Sequence, residues 1–333
     1  MRHFLSVAWL AALCAIAQAE TPIKIATWNV ANLHHENGEA LRGGAEPRDQ
    51  QDFDVLKAYT AEIGADIFAF QEIGSPAALK RIIDESKYEI FISSLYRPGS
   101  EIDPETRNIY TAIAINKDRF PELPSVSTLT SLSIDNVEIS RGDAIDRPVR
   151  AGMLVEFEHN GKPVKLLNVH LKSSCNNSSL NPVFDKDQSG KLRHSRYDCR
   201  TLLAQLMILE NWVEQQRHQG ISVVILGDFN RQLNRFDDAP NKTEHFWGEL
   251  NDGEPDMKLL KGPLGKNTTC WVYHDKFFYD EHIDFIVFDD SLAENIDVSE
   301  IGKLALPLEG SARYAGKAGQ KLSDHCPVVG TIN

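Results

Sequence analysis

Short apolar runs rich in β-branched and aromatic residues recur from one end of the chain to the other. They are KIATWNV (24–30), DIFAFQ (66–71), YEIFISSL (88–95), IYTAIAIN (109–116), RAGMLVEFE (150–158), VKLLNVHL (164–171), SVVILGDF (222–229), HIDFIVF (282–288) and CPVVGTI (326–332). Runs of this length and composition, bounded by polar and turn-forming residues, read as strands buried in a core. Helix-period segments fall between some of them, at 49–63, 76–85 and 197–216. The last carries Leu202, Leu203, Leu206, Leu209 and Trp212 at helical spacing. Strands separated by hairpin-length gaps pair antiparallel, and helices inserted between other strands must cover a sheet face. The expectation is an α/β sandwich, with two mainly antiparallel sheets packed face to face and helices outside. The polar stretches 34–48, 172–196 and 231–243 read as surface loops long enough to shape access to a site. With no internal repeat and no low-complexity linker, residues 20–333 are expected to form one domain.

The first residues read differently. Arg2 and His3 precede an almost wholly apolar stretch from Phe4 to Ile16, and Ala17-Gln18-Ala19 has the small-x-small pattern of a signal-peptide cleavage site. Residues 1–19 are therefore expected to be a signal peptide. The apolar run is short for a membrane span, and no later stretch is long and apolar enough to cross a bilayer. The expected location is secreted or periplasmic. Cysteine usage agrees: once Cys14 is removed, Cys175, Cys199, Cys270 and Cys326 remain, an even number suited to disulfides in an oxidising compartment. The expected pairs are Cys175 with Cys199, closing a polar loop between a strand and a helix, and Cys270 with Cys326. A net charge of −13 argues against broad electrostatic adhesion to nucleic acid or anionic membranes. It leaves room for a nucleic-acid substrate, because a bound dication and a local basic rim outweigh global charge near a cleft.

Polar residues recur where these strands end. Asn29 follows IATW, Glu72 follows IFAFQ, His170 follows LLNV, and Asp228 and Asn230 follow VVILG. Asp284 sits inside HIDFIVF, and Asp324-His325 precede the final strand. Groups at strand ends converge on one pocket although they are distant in sequence. These residue types suit hydrolysis of a phosphate ester, in which an already anionic phosphorus is attacked. A hard dication held by one or two carboxylates, an amide oxygen and water offsets that charge. A carboxylate or histidine deprotonates the water, and an amide helps to aim it. A histidine oriented by a carboxylate, as Asp284 with His325 would be, is a common base or transition-state stabiliser. Each residue also has a plainer reading. Gly-Asp-Phe-Asn forms turns, Glu72 could cap a helix, and His170 could be a satisfied core histidine. Asp284 resists such a reading, since a carboxylate buried in an apolar run needs a partner.

Taken in order, WNV with Asn29, QE with Glu72, NVHLKS with His170, GDFN with Asp228 and Asn230, HIDFIVF with Asp284, and SDHCPV with Asp324 and His325 resemble the endonuclease/exonuclease/phosphatase superfamily. The match runs from residue 24 to residue 332. The resemblance implies the DNase-I-like four-layer α/β sandwich. It implies that Asn29 and Glu72 hold a catalytic Mg2+, with Mn2+ or Ca2+ open as alternatives, and that Asp324 is a further carboxylate near metal or water. It implies that Asp228 and Asn230 position water and phosphate, that Asp284 orients His325, and that His170 belongs to the DNase-I-like two-histidine arrangement. Arg147, in DRPVRAG, resembles an arginine that contacts phosphate; a surface salt bridge accounts for it equally well. His34 and His35 read as solvated loop histidines, the segment 186–196 as a solvated loop with a slight lean towards polyanions, and KFFYDEH (276–282) as a hairpin packed on the sheet.

The expected function is that of a secreted, divalent-metal-dependent phosphodiesterase, foremost a nuclease with a nucleic-acid substrate and no implied stable protein partner. A sphingomyelinase-like or other small phosphodiesterase or phosphatase is the alternative on the same scaffold. A non-catalytic binding or toxin-like protein is disfavoured because every key position is filled.

Overall fold

The computed structural model describes residues 21–42, 45–102, 108–134, 137–140, 143–145, 149–175, 180, 197–234, 245–253, 257–264, 272–273, 277–278, 282–307 and 322–333. The strands are β1 (Ile23–Leu33), β2 (Ile67–Ile73), β3 (Tyr88–Ile92), β4 (Tyr110–Asn116), β5 (Ser125–Leu129), β6 (Val137–Ser140), β7 (Asp143–Ile145), β8 (Gly152–His159), β9 (Lys162–His170), β10 (Ser222–Asp228), β11 (Leu259–Gly262), β12 (Val272–Tyr273), β13 (Phe277–Phe278), β14 (Asp284–Asp289), β15 (Gly302–Lys303) and β16 (Val328–Ile332). The helices are α1 (Gln50–Ile63), α2 (Pro76–Ile82), α3 (Tyr197–His218) and α4 (Phe246–Leu250). All nine expected strands form. The short strands β5, β6, β7, β11, β12 and β15 and the helix α4 lie outside the expected runs.

Helix ends follow local chemistry. Asp49 caps α1 in a reciprocal box with Asp52, and Gly64, at φ 54°, closes its other end. Ser75 caps α2 by accepting from the Ala78 N–H, so Glu72 is not the cap of that helix. The helix stops at Ile82, three residues short of the expected end, where Ile83 turns extended.

Two six-stranded sheets form, in the orders β15-β16-β1-β2-β4-β3 and β11-β14-β10-β9-β8-β5. Each contains one parallel pair, β1 with β2 and β9 with β10, flanked by antiparallel neighbours. The two parallel pairs are the two whose connections carry α1 and α3, because a parallel return needs a crossover. Alternate side chains then sort into layers. Ile25, Ile67, Ala69 and Ile113 of the first sheet meet Met153, Leu166, Leu226 and Ile286 of the second. Trp28, Phe68 and Phe70 face α1 and α2, while Leu167, Ile225 and Phe285 face α3 and α4. The result is helix, sheet, sheet, helix, the four-layer sandwich that was expected.

Between the sheets, near one edge of the apolar layer, lies a buried polar cluster. Asn168 on β9 donates to the carbonyls of Phe70 (3.0 Å) and Ala112 (2.9 Å) in the opposite sheet. Its Oδ1 accepts from Gln71 Nε2 at 2.7 Å, and the same amide nitrogen reaches Thr27 Oγ1 and the Ala69 carbonyl. Thr111 adds a bond from β4 to the Ala151 carbonyl.

The Cys175–Cys199 disulfide is present, joining the segment after β9 to the first turn of α3. Cys326 is also disulfide-bonded; Cys270, its expected partner, lies outside the described residues, as do residues 1–20, Arg147 and the segment 181–196. A hairpin pairs 272–273 with 277–278, earlier than the expected segment 276–282, of which residues 276 and 279–281 lie outside the described residues. Among the described residues no helix is long and apolar enough to cross a membrane.

Gly227 has φ 143°, and a Cβ there would stand 2.0 Å from the Val169 carbonyl oxygen in the adjacent strand. Only glycine lets β10 and β9 approach this closely just before Asp228. Gly227→Ala is expected to cost roughly 3 kcal/mol or more through strain and displacement of β9. Chemical denaturation of the two proteins checks this; an unchanged midpoint would contradict it.

Candidate active site

The strand directions explain why residues far apart in sequence meet. Parallel strands bring their C-terminal ends to one edge, so β1, β2, β9 and β10 deliver Asn29, Glu72, His170 and Asp228 there. Antiparallel neighbours bring their beginnings to the same edge, so β14 delivers Asp284 and the segment before β16 delivers His325. Register completes the alignment: Asp228 stands opposite His170 on one side and opposite Asp284 on the other. Period-two alternation places Asn29, His170, Asp228 and Asp284 on the faces that the two sheets turn towards each other. The apolar inter-sheet layer thus ends in a polar rim.

Glu72 departs from this alternation. A regular β2 would turn it to the side of Phe68 and Phe70, towards the helices. The pairing of β2 with β4 slips between Phe70 and Ile73, and Glu72 takes φ 61°. This bulge re-aims the carboxylate along the edge, where Oε1 lies 3.8 Å from His170 Nε2. The pairing of β1 with β2 breaks between Asn29 and Leu33 as well, with Ala31 and Asn32 at φ 50° and 53°. The N–H groups exposed by that turn are used at once: Ala31 donates to Asn29 Oδ1 (3.0 Å) and Asn32 to Glu72 Oε2 (2.8 Å).

Asp228 sits at the centre of the cluster. Its Oδ2 accepts from Asn29 Nδ2 at 3.0 Å and lies 3.6 Å from His170 Nε2 and 3.9 Å from His325 Nε2. Its Oδ1 accepts from the backbone N–H of Asn230 at 2.7 Å. Asn230, at φ 50°, donates its side-chain amide to the Leu171 carbonyl, which fixes the turn. His325 Nδ1 is bonded to Asp284 Oδ2 at 2.8 Å, and Asp324 Oδ1 lies 3.8 Å from His325 Nε2. His325 is held from behind: its N–H donates to Ser323 Oγ, its carbonyl accepts from Trp28 Nε1, and Ser323 Oγ donates to the Asn29 carbonyl. The expected residues Asn29, Glu72, His170, Asp228, Asn230, Asp284, Asp324 and His325 therefore form one connected group. Its members come from both sheets.

Arg150 was not singled out from the sequence. It precedes β8 at the same edge and donates to the Leu171 carbonyl, and the charges of Asp228 and Glu72 help to hold it protonated. The sequence signal was present, since Arg150 opens an expected strand three residues beyond Arg147. Burial lowers its guanidinium to about 10, which leaves it charged at neutral pH.

Electrostatics separate the two histidines. Burial drives His170 well below 6.5, and the charges of Arg150, His325, Arg42 and Lys172 push it further, so the ring is neutral. Burial also opposes charge on His325, but Asp284, Asp324, the hydrogen bond to Asp284 and Asp228 together outweigh it, and the ring is held protonated well above 6.5. Asp228 is pushed up to about 7 by burial, against the pull of His325.

Two donor sets are available for a cation. Asp228, Asp284 and His325 bring ligand atoms within 4.8 Å of one another. Protonated, His325 offers no lone pair, and its Nδ1 is committed to Asp284. Glu72 Oε1 has no hydrogen-bond partner among the described residues, and Asn29 Oδ1 keeps a second lone pair beside its bond from Ala31. Hard, partly free oxygens at a rim fit a hard dication better than a charged imidazolium does.

Because His325 is held protonated well above 6.5, the Asp284–His325 pair stabilises the fold fully below pH 6.5, and the contribution is lost as pH rises through the raised pKa. Asp284→Asn leaves burial with less to oppose it, so the ring should titrate at lower pH. Following the His325 ring by NMR in chelator-treated protein tests this; a titration at or above the parent value would refute it.

Residues 26–325 match the profile of the Endonuclease/Exonuclease/phosphatase family. No curated protein sequence matches the chain. Solved structures share its fold at low identity. A humanized D. rerio TDP2 is 16% identical, with 94% of this chain and 99% of that chain covered and a TM-score of 0.51. The human Nocturnin catalytic domain with bound sulfate is 14% identical, with 94% of each chain covered and a TM-score of 0.52. The AP endonuclease LMAP from Leishmania major is 14% identical, with 94% and 88% covered and a TM-score of 0.51. The profile begins in β1 and ends on His325, spanning the rim built above, and the chain belongs to the endonuclease/exonuclease/phosphatase family, whose members hydrolyse phosphoester bonds.

Proposed function

We propose that this chain is a divalent-metal-dependent phosphodiesterase, foremost a nuclease, exported after removal of residues 1–19. One observation carries the reading: a neutral histidine and a charged histidine each lie within 4 Å of a carboxylate pushed up to about 7 at the rim.

Asn29 and Glu72, with Asp324 nearby, are the residues that would hold the cation. Bound there, a dication offsets charge on the phosphoryl oxygens. Asp228 accepts a proton from water, a role suited to a base poised near neutrality. The water oxygen then bonds to phosphorus, and the ester P–O bond opposite breaks. The departing oxygen takes its proton from solvent. Asp228 and His325, only 3.9 Å apart, act on neighbouring atoms of the phosphoryl group, not on opposite sides of it. His325, cationic and aligned by Asp284, donates to a non-bridging oxygen as charge builds on it. The neutral His170 and the cationic Arg150 frame the same group from β9 and β8. Asn230, with its side-chain N–H on Leu171, presents its oxygen to the water.

Support for a polynucleotide comes from local charge. Arg150, Arg42 and Lys172 all act on His170, so cationic side chains stand beside the rim's carboxylates in a chain of net charge −13. Among the similar folds are D. rerio TDP2 complexed with a single-strand DNA product and an AP endonuclease. Export is supported by the Cys175–Cys199 disulfide and by the disulfide state of Cys326.

Purified protein should cleave plasmid DNA or single-stranded oligonucleotides with Mg2+ and stop on chelation. Asp228→Asn should lower kcat by about 10²–10⁴-fold with the fold retained. Glu72→Gln should raise the Mg2+ concentration needed for half-maximal rate. Intact DNA and RNA beside phosphocholine released from sphingomyelin would sink the nuclease reading, and full activity in chelator would sink the metal reading.

A further inference from the structure

The turn after Asn29 has two working faces. Its N–H face serves the rim, since Ala31 donates to Asn29 and Asn32 to Glu72. Its carbonyl face points the other way, and there the Val30, Ala31 and Asn32 oxygens all accept from Arg48, the Ala31 bond at 2.9 Å and the Asn32 bond at 3.5 Å. The same guanidinium donates to the Leu322 carbonyl at 3.0 Å. Leu322 precedes Ser323, whose hydroxyl joins the Asn29 carbonyl to the His325 N–H. Arg48 is 3% exposed, a cost that a residue with no special task would avoid.

The turn needs this brace. Ala31 and Asn32 are consecutive non-glycine residues in the left-handed region, a conformation that costs alanine roughly 1–2 kcal/mol and asparagine less. Three of these carbonyls converge on Nη2 and that of Asn32 meets Nη1; a lysine ammonium ends where the arginine Cζ lies, one atom short of both, and has no planar fork to span them.

We propose that Arg48 is a positioning residue that, through the carbonyl face of the 30–32 turn, sets the orientation of Asn29 and Glu72 and thereby the affinity of the rim for a divalent cation. The inference rests on the proposal that Asn29 and Glu72 hold that cation. Position and charge pull in opposite directions here. A buried positive charge near Glu72 opposes a cation by Coulomb repulsion, so removing the charge alone would tighten binding. Loss of the brace weakens it.

The test is calorimetric titration of the metal-free full chain with Mn2+, beside thermal melts. Arg48→Lys keeps the charge and loses the fork. It should bind Mn2+ about 10–100-fold more weakly, the range found when residues that orient metal ligands are removed. Arg48→Met should also bind more weakly although the repulsion is gone. Adding Ala31→Gly to Arg48→Lys should restore part of the affinity, because glycine takes a φ near 50° without steric cost. Wild-type affinity in Arg48→Lys, or tighter binding in Arg48→Met, overturns the proposal. Should Arg48→Met fail to fold, Arg48→Lys, which retains a buried donor, decides. A wild-type chain that binds no Mn2+ removes the cation reading itself, and this inference falls with it.

Discussion

Asn168 decides how the two sheets sit on each other. The apolar layer between them is built mostly from isoleucine, valine and leucine, with Met153, Ala69 and Phe288, and its packing is strong but has no preferred direction. A slide of an ångström along such a layer costs little in buried area. It would cost the chemistry a great deal, because Asn29 and Glu72 stand on one sheet while His170, Asp228 and Asp284 stand on the other. The bonds from Asn168 to Phe70 and Ala112, and from Gln71 to Asn168, are directional and shielded from water. They lie one residue from Glu72 and two from His170. The amide orientations are fixed as well, since Gln71 meets two carbonyl-type acceptors and must present nitrogen to both.

With the sheets registered, burial becomes the common force on every titratable group in the rim, and neighbours decide the outcome. His170 and His325 both lose solvent. The first looks towards arginines and a lysine and is neutral; the second has Asp284 and Asp324 beside it and is charged. Asp228 stands between them, pushed up by burial towards neutrality. One rim thus holds a neutral ring, a cationic ring and a carboxylate able to take a proton, from a chain whose net charge predicts none of them.

The sequence made legible whatever depends on period and order. The apolar runs KIATWNV, VKLLNVHL and SVVILGDF put Asn29, His170 and Asp228 at strand ends, and strand direction brings those ends together. The carboxylate inside HIDFIVF announced its need for a partner, and His325 supplies it. What escaped depends on departures from regularity. The bulge that re-aims Glu72 is a break in alternation that no residue type there requires. Arg150 was passed over for Arg147, three positions earlier in the same segment, because only the β8–β9 register places Arg150 beside Leu171. Arg48 reads as one more charge in a polar loop, since the carbonyls that it gathers belong to residues 16 or more positions away. Asn168 and Gln71 read as ordinary neighbours of the histidine and the glutamate until the opposite sheet was in place.

Four non-glycine residues around the rim, Ala31, Asn32, Glu72 and Asn230, hold backbone angles that glycine takes more readily. Anyone improving the thermal robustness of this protein from its backbone alone would write glycine at each of them. At 31 and 32 that exchange touches only the frame. At 72 and 230 it would delete a carboxylate and an amide from the working edge. A selection for heat resistance and a selection for turnover would therefore pull these two codons apart, and the residue that persists at each records which pressure the chain has lived under.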